Sequence, residues 1–144
     1  MRDLLFLTQT DTTIGFISQD STKINIAKKR LPNKYYIRAV DSLRTLQNFS
    51  RVPSKYKNRV RRSKQTTFVM PNGLSFRVVK ETKHNLLLDR IGWVYTSSAN
   101  LSGFEYDEVY AREATEVIID FPYYNDKEAS KIYYLGKDRI KSIR

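Results

Sequence analysis

The sequence predicts a single α/β domain, residues 1–144, built on a mixed, strand-rich sheet with several short helices. The chain has 144 residues, 40% of them hydrophobic, which is enough for one packed core. Short apolar and β-branched runs recur along it and are separated by turn residues. Between these runs lie stretches with apolar residues at helical spacing and a capping residue in front. No long linker or internal repeat interrupts this order.

Composition narrows the classes of function. The 26 lysines and arginines exceed the 15 acidic residues and give a net charge of +11, which favours polyanionic partners such as nucleic acid, nucleotides or an acidic membrane surface. The chain has no cysteine, and His84 is its only histidine. We therefore expect no thiol nucleophile, no serine–histidine system and no protein-bound metal. No apolar run approaches the ~20 residues of a membrane span, and a cytoplasmic location is expected.

The first half of the chain alternates between strand and helix patterns. Asp20 or Ser21 caps the first helix and Pro32 stops it, while Asp41-Ser42 opens the second. The elements predicted are a buried strand at Leu4–Leu7, a helix to about Arg30, a strand at Lys34–Val40 and a helix at Leu43–Phe49.

The second half is richer in strands, and its clearest signal is the turn Pro71-Asn72-Gly73 between two apolar runs. The elements predicted are strands at Gln65–Met70 and Leu74–Val79, a helix at about Lys83–Arg90, a strand at Ile91–Tyr95, a helical turn at Asp107–Arg112, a strand at Glu116–Asp120, an irregular loop at Phe121–Glu128 and a last hairpin of Ser130–Leu135 with Arg139–Ile143.

The segment from Arg51 to Lys64 is the most basic part of the sequence, with seven cations and no acid. Pro53 suits the first position of a helix, which would align several of these cations on one face. One interpretation is a solvated helix face, and the other is a contact with a nucleic-acid backbone. The candidate RNA-binding residues are Arg51, Lys55, Arg59 and Arg62.

Polar side chains follow two of the predicted strands. Residues 95–103 read Tyr-Thr-Ser-Ser-Ala-Asn-Leu-Ser-Gly, and Thr8–Gly15 forms a second polar strand end. In an extended chain Thr96, Ser98 and Asn100 would share one side. Small hydroxyl and amide groups at a strand end suit a phosphate or nucleotide, although a serine-rich loop that caps a helix explains them as well.

The order of three motifs resembles the YrdC-type threonylcarbamoyl-AMP synthase family. Thr10-Asp11-Thr12 with Gly15 comes first, Lys28-Lys29-Arg30 follows, and the third, Ser98-Ala99-Asn100-Leu101-Ser102-Gly103, is the most specific match. The resemblance covers nearly the whole chain. It implies a YrdC-like α/β fold: a twisted mixed β-sheet with flanking short helices and a concave basic face.

The resemblance also implies an activity, the formation of threonylcarbamoyl-AMP from L-threonine, bicarbonate and ATP for the t6A modification of a tRNA adenosine. ATP would be a substrate, bound with Mg²⁺. The implied partners are tRNA or double-stranded RNA and proteins of the tRNA-modification pathway.

The resemblance assigns no single residue as catalytic. The implied ATP-binding residues are Lys28, Arg30, Ser98 and Asn100, and those on the threonine and carbamate side are Thr10, Thr12 and Lys34.

Several positions depart from the family pattern. They are Gln9, Ile14, Lys131 and the segments 63–65 and 77–81. The sequence thus leaves two main hypotheses, a synthase or a non-catalytic relative that binds double-stranded RNA, tRNA or a nucleotide. A subunit that uses the same surface to bind a protein partner is a third.

Overall fold

The computed structural model describes residues 3–30, 35–80, 82–119 and 129–144, with the backbone alone for 82–86. Nine strands and five α-helices lie within this part of the chain. In order they are β1 (Phe6–Gln9), β2 (Ile14–Ser18), α1 (Ser21–Lys28), β3 (Ile37–Val40), α2 (Leu43–Leu46), a 3₁₀ turn (Ser54–Tyr56), α3 (Lys57–Arg62), β4 (Thr66–Val69), β5 (Ser75–Val78), α4 (Thr82–Ile91), β6 (Trp93–Ser98), α5 (Glu108–Ala114), β7 (Val117–Ile118), β8 (Lys131–Leu135) and β9 (Ile140–Ser142).

All nine strands form one mixed sheet in the order β7-β1-β2-β6-β3-β5-β4-β8-β9. Three pairs are parallel, namely β1 with β7, β3 with β5 and β4 with β8, and the other neighbours are antiparallel. Strand β6 sits between β2 and β3, so the polar strand end at Ser98 lies near the middle of the sheet rather than at its edge.

Alternation of side chains divides the core between the two faces of the sheet. Val40 on β3 packs in a cluster with α2 and α3, while its neighbour Ala39 packs on the other face with α4. Phe16 on β2 packs with α1 and α5, and Ile17 joins the α4 cluster. Helices α1, α2, α3 and α5 therefore cover one face, and α4 covers part of the other.

Most predicted elements are confirmed, with shifted ends. The hairpins β4–β5 and β8–β9, helices α1, α2, α4 and α5, and strands β1, β3, β6 and β7 all lie within or beside the predicted ranges. Strand β3 begins at Ile37, later than predicted. Pro53 precedes a 3₁₀ turn rather than opening α3. The predicted loop 121–128 and the strand end at Asp120 lie outside the described residues.

Strand β2 was missed, and it is essential to the sheet because it joins β1 to β6. Gly15, its second residue, lies close to the backbone of β6 and to the Thr10 side chain. A Cβ there would lie 3.0 Å from the Ser97 carbonyl oxygen and 3.1 Å from the Thr10 methyl carbon. Glycine at this position therefore allows the Thr10 turn to fold against the end of β6.

Substituting Gly15→Ala is expected to lower the free energy of unfolding by about 1–3 kcal/mol, because the added methyl forces β2 away from Ser97. Chemical denaturation measures the loss. Ser142→Ala on exposed β9 is the control, with an expected change within about 0.5 kcal/mol. Equal stability of Gly15→Ala and the native chain would show that the close approach is not needed.

No helix in the described part of the chain is both long enough and apolar enough to span a membrane.

Candidate functional site

A cavity of about 290 Å³ opens on the face that carries α4, where β2, β6, β3 and β5 come together. Among the described residues, its lining combines three arginines with six serines and threonines, two tyrosines, an isoleucine and an alanine, and none of these side chains is acidic. The lining residues are Thr12, Thr13, Arg30, Tyr35, Tyr36, Ile37, Arg77, Thr96, Ser97, Ser98, Ala129, Ser130 and Arg144. Its volume is at the lower end of the roughly 300–1,000 Å³ of ligand pockets.

The end of β6 forms one wall of the cavity. The strand continues through Thr96 and Ser97 and ends at Ser98, after which the chain turns. The Asn100 side chain donates to the carbonyl oxygens of Leu101 and Phe104, at 3.0 and 2.7 Å. These bonds hold the segment after β6 in a fixed turn, so Asn100 does not continue the extended alternation that the sequence suggested.

Lys28 fixes this turn from the last residue of α1. Its Nζ donates to the carbonyl oxygens of Ser98 and Asn100, at 2.7 and 2.8 Å, with the Asn100 Oδ1 at 3.4 Å. Lys28 is only 1% exposed. Burial, with a smaller contribution from the charge of Arg30, lowers the pKa of its amine to about 8. The ammonium therefore joins α1 to the polar end of β6, and its contact with a phosphate stays a prediction.

Arg30 reaches the cavity because the chain reverses at the end of α1. Lys29 adopts a left-handed conformation (φ 51°), and the Arg30 amide donates to the Asn25 carbonyl at 3.0 Å. The Arg30 guanidinium then lies over the Tyr36 ring, 5.5 Å from its centroid. Its Nε donates to the Ser102 hydroxyl at 3.5 Å. Stacking on an aromatic ring orients a guanidinium so that its edge can bind an anion. Arg30 thus presents an oriented guanidinium at the cavity, and its contact with a phosphate stays a prediction.

A buried ion pair supports the opposite wall. Arg77 on β5 donates from Nε to the Asp11 Oδ1 at 3.0 Å, and both side chains are about 95% buried. The second Asp11 oxygen, Oδ2, has no hydrogen-bond partner among the described residues. Asp11 lies in the turn after β1, so this pair fixes the turn against the centre of the sheet.

The predicted threonine-side residues differ in their surroundings. The Thr10 hydroxyl donates to the Thr13 carbonyl at 2.6 Å and accepts from the Thr12 amide at 3.2 Å, so it stabilises the turn. Thr12 lines the cavity, and Lys34 lies outside the described residues. The structure thus places Arg30, Ser98 and Thr12 in the lining of one cavity. Lys28 and Asn100 do not line it, and their side chains form hydrogen bonds with the turn that follows β6. Their roles in binding stay predictions.

Sequence reasoning missed several lining residues, including Thr13, Tyr36, Ser130 and Arg144. Arg144 donates from Nε to the Ser130 carbonyl at 2.9 Å, and the Ser130 hydroxyl lies 2.8 Å from that of Thr67. Only the pairing of β8 with β4 brings this C-terminal segment to the cavity. The resemblance touched this segment only at Lys131, where the sequence departs from the family pattern, and it assigned no site residue there.

The predicted RNA-binding residues lie away from this cavity. Arg51, Lys55, Arg59 and Arg62 are all exposed around the 3₁₀ turn and α3, on the face opposite α4. None of them lines the cavity. Among the described residues, no group of three or more histidine, aspartate or glutamate side chains could hold a metal ion.

The low pKa of Lys28 predicts that both ATP affinity and folding stability depend on pH. As pH rises through about 8, Lys28 loses its proton, and the wall at Ser98 loses the positive charge and the charged hydrogen bonds that hold its turn. ATP affinity is therefore expected to fall about tenfold. The effect on stability has the opposite sign: the unfolded chain holds this proton up to about 10.5, so folding is favoured as pH rises from about 8 to 10.5.

Calorimetric titration with ATP between pH 7 and 9.5 measures this step. Lys28→Arg is the control, since a guanidinium stays charged throughout the range. A step of the same size in Lys28→Arg would mean that another group causes it.

The fold is similar to that of several solved structures. A variant of P. abyssi Sua5 superposes with a TM-score of 0.80 at 19% identity over 98% of this chain, and P. abyssi Sua5 complexed with L-threonine superposes with 0.79 at 19% over 92%. The chain spans about half of the P. abyssi protein, 49% and 47% in the two structures.

Two shorter proteins match over most of their own length. E. coli YciO has a TM-score of 0.77 and 16% identity, with 99% of this chain and 82% of that one covered. MTH1692 of Methanobacterium thermoautotrophicum has a TM-score of 0.71 and 21% identity, with 97% and 79% covered. No model of a known protein family matches the sequence, and no curated protein matches it.

These structures are YrdC/Sua5-type domains. The chain is therefore an α/β protein with a YrdC-like fold, which confirms the fold predicted from its motifs.

Proposed function

We propose that the protein belongs to the YrdC-type family and forms threonylcarbamoyl-AMP from L-threonine, bicarbonate and ATP, for the modification of tRNA. The observation that carries this proposal is the cavity itself. Its described lining holds six serines and threonines, Arg30, Arg144 and the Asp11-paired Arg77, and no acidic side chain. Such a lining suits a ligand with several negative charges. The match to P. abyssi Sua5 complexed with L-threonine supports the choice of amino acid.

The bonds in this reaction form and break between the substrates, and little covalent chemistry is required of the protein's side chains. The threonine amine combines with bicarbonate to give a carbamate and water. A carbamate oxygen then forms a bond to the α-phosphorus of ATP as the bond to pyrophosphate breaks. No histidine or cysteine is needed, because the protein acts by holding the carbamate in line and stabilising the charge that develops on the phosphate oxygens.

The described side chains fit these tasks. Arg30 offers N–H groups on an oriented guanidinium at the cavity wall, and Arg144 lines the same cavity. Ser98 presents a hydroxyl at the end of β6, where Lys28 holds the turn. Because the described lining residues include no acidic side chain, Mg²⁺ would enter bound to the triphosphate and be held through it.

Release of pyrophosphate tests the proposal. Purified protein is incubated with ATP, L-threonine, bicarbonate and Mg²⁺, and pyrophosphate is measured against reactions that omit one substrate at a time. We expect release that depends on both threonine and bicarbonate. A folded sample that shows no release above the omission controls would contradict the proposal.

A second candidate is a non-catalytic relative that binds a nucleotide without turnover. The hydrogen bonds of Lys28 favour it, because they commit one predicted phosphate ligand to the protein's own carbonyl oxygens. Binding of ATP with no dependence on threonine and no pyrophosphate release would support this candidate.

A further inference from the structure

A half-buried arginine lies among three aromatic rings on the face of the sheet that carries α1, α2, α3 and α5. Arg38 on β3 shares this face with Val40, which packs with α2 and α3, because side chains alternate along the strand. The Arg38 guanidinium lies 4.9, 5.2 and 5.7 Å from the ring centroids of Tyr95, Phe49 and Trp93. Arg38 and these three aromatic residues, the Arg38 cluster, are all half-buried.

The Arg38 cluster lies where two groups of helices meet. Phe49 and Trp93 pack against the core beneath α2 and α3, and Tyr95 packs against the core beneath α1 and α5. Neither group of helices covers the cluster fully, so part of it faces solvent. Tryptophan, tyrosine and arginine are the residue types most enriched among those that dominate the energy of protein interfaces. Both the position and the composition of the cluster therefore favour a contact with a second protein chain.

Arg38 has no charged partner among the described residues. No ion pair there includes it, and its one hydrogen bond runs from Nη2 to the Tyr95 hydroxyl at 2.9 Å. The buried Nε has no hydrogen-bond partner among these residues. Contacts with aromatic rings offset the cost of burying a cation only in part. A carboxylate at the exposed edge of this guanidinium would accept from the donors that remain.

An acidic and apolar segment of the same chain is exposed on the same face. Residues 102–109, Ser-Gly-Phe-Glu-Tyr-Asp-Glu-Val, are all exposed, with Phe104 at 69% and Val109 at 67%. This 102–109 segment leads into the first turn of α5, and its start is fixed at the end of α1 by a hydrogen bond from the Ser102 amide to the Lys28 carbonyl. The segment carries three acids and no cation in a chain whose net charge is +11.

The three acids of this segment differ in their surroundings. Asp107 caps α5, and Glu108 pairs with Arg112 at 3.1 Å. Within the described residues, Glu105 makes neither a hydrogen bond nor an ion pair. The exposed Phe104 precedes it directly in the chain. A carboxylate beside an apolar ring complements the guanidinium and the aromatic rings of the Arg38 cluster in charge and in apolar character.

We infer that the protein forms a symmetric dimer in which Glu105 of one copy pairs with Arg38 of the other, while Phe104 packs against the rings of the Arg38 cluster. The 102–109 segment and the cluster lie on the same face of the chain, so one two-fold axis can bring each copy's segment to the other copy's cluster. The contact is then closed and occurs twice, which doubles its buried area.

This surface is separate from the candidate substrate cavity. No residue of the Arg38 cluster or of the 102–109 segment lines that cavity. The inference does not rest on the proposed function, and either can fail without the other. A nucleic acid is a poor occupant of this surface, because the three acids of the segment would repel its phosphates.

Sedimentation velocity over a range of protein concentrations tests the dimer. We expect the native chain to dimerise with a dissociation constant on the order of micromolar. Glu105→Arg and Phe104→Ser change exposed side chains, so the fold is expected to persist. Each is expected to weaken dimerisation about tenfold or more. The matched control is Glu113→Arg, which makes the same change of charge at an exposed position of α5 outside the segment and should stay within about threefold of the native dissociation constant.

Exchange of the two charges identifies the contact. Arg38→Glu and Glu105→Arg are each expected to be monomeric alone, because like charges then meet in both contacts of the dimer. An equimolar mixture of the two is expected to form a heterodimer, because each contact again joins opposite charges.

Trp93 is the only tryptophan of the chain and reports directly on the Arg38 cluster. A peptide of residues 102–109, acetylated and amidated at its ends, is titrated into Glu105→Arg, in which the cluster is intact. We expect a saturable change in tryptophan emission, and an affinity about tenfold lower for a peptide with glutamine in place of Glu105. This titration needs no substitution at Arg38, so it decides the question even where Arg38→Glu does not fold.

Four results would overturn the inference. They are a native chain that stays monomeric throughout, a dimer that Glu105→Arg weakens no more than Glu113→Arg does, two folded charge variants that do not associate when mixed, and a peptide that leaves the tryptophan emission unchanged.

Discussion

Replacing Arg77 with methionine is expected to lower the free energy of unfolding by about 3–5 kcal/mol, because it leaves the Asp11 carboxylate buried without a counter-charge. Both side chains are about 95% buried, and Nε and Oδ1 are 3.0 Å apart. Asp11 Oδ2 already lacks a partner among the described residues, so little else nearby can compensate. Chemical denaturation measures the loss.

The double variant Asp11→Asn with Arg77→Met measures how far the two residues stabilise the fold as a pair, beyond the loss of stability in each single variant. Once neither residue is charged, the double variant is expected to be less destabilised than the sum of the single variants. Lys23→Met serves as a control, because it breaks a more exposed ion pair with Glu116 and should cost much less. Strict additivity of the two core substitutions would contradict the role given to this pair.

Replacing Arg30 with glutamine is expected to lower pyrophosphate release by about 10²–10³-fold, the usual effect of removing one preorganised donor to a developing charge. The guanidinium is oriented over Tyr36 at the cavity wall, and glutamine loses both its charge and this stacking. Steady-state kinetics with saturating threonine and bicarbonate give the comparison.

Lys29→Gln is the matched control, because Lys29 is the adjacent cation but does not line the cavity. Its side chain is exposed and lies over the Tyr110 ring instead, 5.9 Å from the centroid. We expect its rate to stay within about threefold of the native rate, while Arg30→Gln retains the native far-UV spectrum. A similar loss in both variants would indicate that net charge, and not position, determines the rate.

The sequence could predict the elements whose signals are local. The turn Pro71-Asn72-Gly73 specified the β4–β5 hairpin, and Asp20 capped α1 by accepting from the Thr22 amide, as its position indicated. Strand β2 gives no such signal, because Gly15 weakens it and polar residues precede it. Its conformation is imposed by pairing with β1 on one side and with β6, about 80 residues away, on the other.

The site was predictable in part for the same reason. The motifs indicated two polar strand ends and a cation between them, and the fold brings Thr12, Arg30 and Ser98 to one cavity. The pairing of Arg77 with Asp11 spans 66 residues and depends on the parallel pairing of β3 with β5. Nor could the burial of Lys28 be foreseen, since a cation in the last turn of a helix is usually exposed.

Calorimetric titration of the native protein with ATP and L-threonine, separately and together with bicarbonate, tests most directly whether this cavity is a substrate site. We expect ATP to bind alone, threonine to bind in its presence, and both signals to weaken in Arg30→Gln but not in Lys29→Gln. Failure of a folded sample to bind either ligand, or binding of equal strength in all three proteins, would contradict the assignment of the cavity.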